Sequence, residues 1–251
     1  MLNTITHGEP TDAPPLLIAH GLFGSGRNWG VIAKRLSDKR QVIAVDMRNH
    51  AGSPWYDTNS YEDMAGDLAE VLEEIGPADV LGHSMGGKTS MVLALSRPEL
   101  VNRLIVADIA PVAYQHSQSD KIAAMRSVDL DTVTRRSEVD ALLEAQFGDR
   151  TLATFLSQSL DLKDKSWRLN LDVLDAEMPK IIGFPEVDGR YDGRVLFLTG
   201  GTSTYVRRED RDRIKALFPK VRFAGIPGAG HWLHAEKPRE FVAAVDAWLS
   251  A

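Results

Sequence analysis

The residues Gly82-His83-Ser84-Met85-Gly86-Gly87 set a serine between glycines two positions away on either side, directly after the short apolar run Val80–Leu81. A strand that reverses at once into a helix crowds the backbone at its apex, so positions flanking the apex tolerate almost no side chain. In that geometry the Ser84 hydroxyl stands at the C-terminal edge of a sheet. The Met85 N–H then lies at a helix N-terminus, where free donors and the helix dipole favour a developing oxyanion. The chemistry implied is nucleophilic attack on an acyl carbonyl. The same stretch, read on through Lys88 and Thr89, also spells the nucleotide P-loop pattern G-x-x-x-x-G-K-[ST], and Asp108 at the end of a later run would pass for its magnesium ligand. Two strand–helix units precede the motif, it contains a second pattern with its own chemistry, and downstream residues complete a different site. Lys88 is therefore read as a helix residue directed elsewhere.

A serine hydroxyl needs a base within hydrogen-bond reach. Among the seven histidines, His231 in Gly228-Ala229-Gly230-His231-Trp232 follows the last apolar run and precedes the final helical pattern. That loop lies over the sheet edge that carries Ser84, where open α/β sheets place their sites. His234 reads as a cap or a supporting group, His83 as packing in the turn, and His7 and His116 as solvated. Near the N-terminus, His20-Gly21-Leu22-Phe23-Gly24 follows the run Leu16–Ala19. Its glycines let the backbone turn so that the Leu22 N–H, or alternatively that of Phe23, supplies a second oxyanion donor, with His20 orienting the loop.

The elements that must position these groups are legible as periodicity. Leu16–Ala19, Val42–Val45, Val80–Leu81 and Leu104–Ala107 are apolar runs too short for buried helices, and read as buried strands. Between them Trp29–Leu36, Tyr61–Ile75 (N-capped by Ser60) and Met85–Ser96 have helical spacing. Such alternation implies a mostly parallel sheet with helices on both faces. From 112 to 190 no comparable strand run occurs, and Ile122–Met125, Val139–Phe147 and Leu152–Leu160 suit short helices. Val195–Thr199, Arg207–Phe218, Val221–Ile226 and Arg239–Leu249 then resume the strand–helix order. The expectation is a core made of residues 1–111 and 191–251, with a helical cap inserted at 112–190. Phe147, Phe155, Leu156 and Trp167 are candidates to line a pocket under that cap.

The 251 residues carry a formal charge of −6, no cysteine and 43% hydrophobic residues. The charge argues against nucleic acid as a partner, and the missing thiols exclude a cysteine nucleophile or thiolate metal site. No apolar stretch reaches membrane-spanning length and no signal pattern opens the chain, so a cytoplasmic protein is expected.

Taken together, HGLFGS (20–25), DMRNHAGSP (46–54), GHSMGG (82–87), DIAPV (108–112) and GAGHWLHAEKP (228–238) resemble the α/β-hydrolase fold esterases of the bacterial YbfF and ABHD11-like group. The resemblance runs from about Leu16 to Leu249 and is weakest in the cap. Ala51 departs from it, because relatives tend to carry glycine there. The third catalytic residue is less direct. Many members of the fold place an acid after the strand that follows the cap, but Thr199–Tyr205 contains no carboxylate, and Glu209 and Asp210 fall too late. Asp108 ends the strand next after the serine's helix and is the best substitute, which the D-I-A-P motif of the resemblance supports. Ser203, at the vacated position, would orient Asp108 or His231, whereas Asp46 reads as structural.

The resemblance implies a serine hydrolase of carboxyl esters with short to medium acyl chains, acyl-CoA thioesters included. The partner is then a small-molecule ester, and such acyl transfer needs no cofactor. Carbon–carbon bond hydrolases, perhydrolases and acyltransferases share the same site. A ligand-binding protein that kept the fold without the chemistry is the reading from another class.

Overall fold

A computed structural model describes residues 1–251. Its centre is a seven-stranded sheet in the order β1 (Thr4–His7), β3 (Val42–Val45), β2 (Leu16–Ala19), β4 (Ala78–His83), β5 (Val101–Ala107), β8 (Arg194–Gly200) and β9 (Val221–Ile226). Only β1 runs antiparallel to its neighbour. Successive strand residues face opposite sides, so Leu17, Ala19, Ile43 and Val45 enter one hydrophobic cluster while Leu16, Ile18, Val42 and Ala44 enter the other. Burial on both faces explains why these strands are continuous apolar runs.

Helices α2 (Tyr61–Ile75) and α3 (Met85–Ser96) pack on the first face, and α1 (Gly30–Leu36) and α11 (Pro238–Ser250) on the second. Ser60 caps α2 by accepting from the Asp63 N–H, as its position predicts. Helix α3 is buried almost all round, which is why its sequence carries little amphipathic signal. Strand β1 was missed by periodicity: its residues alternate between exposed and half-buried on the sheet edge, and the strand is held by pairing with β3.

Residues 112–190 add no strand to this sheet. They form α4 (Ser119–Arg126), α5 (Arg136–Phe147), α6 (Arg150–Ser157), α7 (Leu171–Ala176) and α8 (Met178–Ile182), with a small hairpin of β6 (Leu160–Asp161) and β7 (Ser166–Trp167). The hairpin, α7 and α8 are too short to declare themselves by period. After β8, a 3-10 turn at Arg208–Asp210 leads into α9 (Arg211–Leu217), and α10 (Leu233–Glu236) precedes α11. No helix is long and apolar enough to cross a membrane.

Asp46 is structural, as its place at a strand end suggests. Its carboxylate accepts from Gly26 N–H (2.8 Å), Asn3 Nδ2 (2.7 Å) and Gly52 N–H (3.0 Å), tying three loops together. Ala51 keeps the left-handed backbone that glycine would favour (φ 47°) and donates its N–H to Arg168 O at 2.7 Å. The turn therefore survives the departure from glycine, with strain at that residue.

Candidate active site

Strand β4 ends at His83 and α3 starts at Met85, so Ser84 alone makes the reversal. Its backbone is strained, at φ 52° and ψ −118°. The flanking glycines are dictated by space. A Cβ on Gly82 would stand 2.2 Å from Gly86 O, and one on Gly86 would stand 2.3 Å from Ala19 O. Two backbone donors of this turn are spent within the fold: Ser84 N–H on Ala107 O (3.2 Å) and Gly86 N–H on His20 O (3.1 Å). Thr89 Oγ1 donates to Met85 O (2.9 Å). No cradle of free N–H groups with an available threonine remains, so the stretch is not arranged as a P-loop.

His231 lies on the loop after β9, and its Nδ1–H donates to Asp108 Oδ2 at 2.8 Å. Since the carboxylate only accepts, this bond leaves the proton off Nε2, the nitrogen a base would use. Asp108 sits at φ 52° directly after β5 and is fully buried. Its Oδ1 accepts from Gly200 N–H (2.9 Å), and its Oδ2 also accepts from Ser203 Oγ (2.5 Å). The structure thus brings Asp108, Ser203 and His231 into one hydrogen-bonded cluster, and places His231 on the same cavity as Ser84. Tyr205, to which no role was assigned from sequence, stacks on the His231 ring with centroids 3.8 Å apart. His83 Nε2 donates to His231 O (2.9 Å), and burial holds its pKa well below the ordinary histidine value.

The loop at residues 20–24 is organised by two buried histidines. His20 Nδ1–H donates to Gly21 O (2.7 Å) while its Nε2 accepts from Met47 N–H (2.9 Å). His50 repeats the scheme, donating to Arg48 O (2.7 Å) and accepting from Phe23 N–H (3.2 Å). Burial lowers the two pKa values to about 4 and about 3, so both rings stay neutral and each keeps an acceptor. The bond to His50 commits the Phe23 N–H, whereas the Leu22 and Met85 N–H groups donate to no group of the protein. Both residues line the cavity beside Ser84.

That cavity has a volume of about 390 Å³. Of the four residues expected under the cap, only Phe155 lines it; Leu156 and Trp167 are buried in the first hydrophobic cluster and Phe147 packs against it. On α6, Phe155 and Leu156 are about 100° apart, so one faces the cavity and the other the core. Tyr114, Leu152, Ile181 and Ile182 are among the other lining residues from 112–190, and Trp29 and Tyr61 enter from the rest of the fold. Lys88 also lines the cavity, contrary to the expectation that it points elsewhere. Of the two histidines expected to be solvated, His116 is so and His7 is not. His116 is exposed, yet its Nε2 pairs with Tyr205 Oη at 3.0 Å. His7 is half-buried, with Nε2 enclosed and unpaired. His234 makes no cap bond and stacks on Trp29, with centroids 4.2 Å apart.

Comparison with known proteins bears on the family and the fold. Residues 14–238 match the model of the alpha/beta hydrolase fold family. The chain is 40% identical over 249 residues to the mouse sn-1-specific diacylglycerol lipase ABHD11, covering 94% of this chain and 81% of that protein. It is 38% identical over 239 residues to the esterase YbfF of Escherichia coli K12, covering 94% and 93%. A marine microorganism esterase of known structure superposes with a TM-score of 0.91 at 38% identity, over 97% of both chains.

Proposed function

The chain belongs to the α/β-hydrolase fold family and is an esterase-type hydrolase, and from that premise we propose that it cleaves carboxylic esters of short to medium acyl chains through a Ser84 acyl-enzyme. The observation that carries this reading is the bond from His231 Nδ1–H to the buried Asp108 carboxylate, on a cavity shared with a serine held at positive φ. Ser84 Oγ attacks the acyl carbon as His231 Nε2 takes its proton. The carbonyl oxygen, now an oxyanion, is received by the N–H groups of Leu22 and Met85, the pair left without partners in the protein. His231 passes the proton to the leaving alcohol, and Asp108 stabilises the imidazolium between the two transfers. Water then enters by the same route in reverse: His231 deprotonates it, it attacks the acyl-enzyme, and Ser84 leaves with the proton as the acid is released. Ser203 and Gly200 supply hydrogen bonds that hold the Asp108 carboxylate toward His231. Thioesters present the same carbonyl and would follow the same steps. In this reading, residues 112–190 act as a cap whose Leu152, Phe155, Ile181 and Ile182 shape the acyl pocket.

A fluorophosphonate that phosphonylates activated serines tests the proposal. The wild type is expected to label with loss of p-nitrophenyl ester hydrolysis, and Ser84→Ala to do neither. Labelling that persists in Ser84→Ala would assign the nucleophile elsewhere.

A further inference from the structure

Lys88 is the one lysine of this chain that is almost wholly buried, and it stands in the first turn of α3, four residues beyond Ser84. Lys39, Lys121 and Lys180 sit in ion pairs, but no carboxylate faces Lys88. Its Nζ donates to the carbonyls of Ile182 (3.0 Å) and Gly183 at the C-terminal end of α8, where free carbonyls attract a cation. The ammonium also lies 4.7 Å from the ring centre of Tyr114 and 5.6 Å from that of Tyr61. Those two residues fasten the same segment independently, Tyr61 Oη donating to Ile181 O (2.6 Å) and Tyr114 N–H to Ile182 O (2.9 Å).

The cavity has two unlike ends. Asn28, Phe155, Trp232 and His234 also line an adjoining groove of about 860 Å³, which gives a leaving group a way out. Tyr61, Lys88 and Ile181, by contrast, are nearly excluded from solvent, so the wall they form lies inside the protein. An acyl chain on Ser84 that points away from the groove runs toward them. Residues four apart on a helix are separated by about 6 Å along its axis, so a short chain fits before its tail meets the ammonium. An apolar tail offers that charge no acceptor, which penalises further methylenes.

We propose that Lys88 closes the inner end of the cavity and restricts the acyl group to short chains, as a specificity-determining residue for the ester hydrolysis proposed above, on which this inference rests. Besides Tyr61 on α2 and Tyr114 on the loop after β5, the titratable groups on this wall are His116 and Lys121, neither of them anionic. Burial lowers the Lys88 pKa to about 7, so alkali removes the charge without a mutation.

The test is the ratio of kcat/KM for p-nitrophenyl octanoate to that for p-nitrophenyl acetate, measured at about pH 6 and about pH 9.5, on either side of the Lys88 pKa. In Lys88→Met at the lower pH the ratio is expected to rise roughly fivefold or more over wild type, the scale on which a pocket discriminates by size. The wild-type ratio should rise likewise between the two pH values, and that of Lys88→Met should stay level. Lys88→Arg, which keeps its charge at both pH values, should hold the low-pH wild-type ratio at both. A wild-type ratio that does not move with pH overturns the proposal even if Lys88→Met fails to fold. So does equal loss of both activities in Lys88→Met together with a lowered Tm, the signature of a merely structural lysine. A wild type that hydrolyses neither ester refutes the Ser84 reading as well, which separates the two failures.

Discussion

Replacing Asp108 by asparagine changes one atom, and the hydrogen bonds around it decide which proton ends up misplaced. Oδ1 accepts from the Gly200 N–H, a group that can only donate, so the asparagine must keep its oxygen there. Its NH2 then occupies the Oδ2 position, facing Ser203 Oγ and His231 Nδ1. The hydroxyl can turn to accept, but the imidazole can accept only by carrying its proton on Nε2, which removes the base that Ser84 needs. Turning the amide over restores the His231 bond at the cost of opposing two donors at Gly200, in a site with no solvent exposure. The first arrangement fails in the catalytic step and the second leaves two buried donors opposed, while the volume and packing are preserved. A wrong tautomer of this kind costs about 10³–10⁴-fold in kcat, or about 4–5.5 kcal/mol of transition-state stabilisation. The assay is steady-state hydrolysis of p-nitrophenyl acetate by wild type and Asp108→Asn, with thermal unfolding to show that the variant is folded. A folded Asp108→Asn whose kcat stays within about tenfold of wild type would refute the assignment of Asp108 as the group that orients His231.

Ser203→Ala removes one donor to the Asp108 carboxylate and leaves the His231 bond in place, so kcat should fall by about tenfold, far less than for Asp108→Asn; an equal loss in both variants would place Ser203 on a par with the acid. Ala51→Gly relieves a left-handed residue without removing its N–H bond to Arg168 O, and should raise stability by about 1 kcal/mol, read as a higher urea midpoint; an unchanged or lower midpoint contradicts the strain argument. His20 and His50 have folded-state pKa values depressed to about 4 and about 3, below the ordinary 6.5, so from about pH 6.5 downward the unfolded chain binds protons that the folded one refuses. Stability is therefore intact above about pH 6.5 and is lost on acidification, by roughly 1.4 kcal/mol per pH unit for each histidine until its folded pKa is reached. Urea midpoints that stay level from about pH 6.5 to about pH 4.5 would show that the two rings are not held neutral.

Much of this protein is written as local pattern. Buried parallel strands must be apolar on both faces, so Leu16–Ala19 and Val42–Val45 coincide with observed strands. The turn at Ser84 must have glycine where a Cβ would strike backbone, so the motif of the proposed nucleophile is a steric signature that any sequence making this turn has to carry. His231 and the loop at 20–24 were legible for the same reason, since each follows a strand that ends at one sheet edge. Edge strand β1 and the short helices α7 and α8 left no such mark, because pairing and packing with distant residues hold them rather than a period of their own.

Tertiary structure decided what depends on distance between remote segments. Asp108 could be put near Ser84 from its place after β5, but its bonds to Gly200, Ser203 and His231 join residues more than ninety positions apart. The choice of Leu22 over Phe23 turned on His50, which occupies the Phe23 N–H from another loop. Lys88 showed only a helix position in the sequence, and its direction into the cavity was set by the carbonyls at the end of α8, almost a hundred residues away. Sequence patterns record the steric and hydrophobic demands that a residue meets among its chain neighbours. Which donor meets which acceptor, and therefore which proton can move, was decided only when the folded chain brought the loops at one edge of the sheet together.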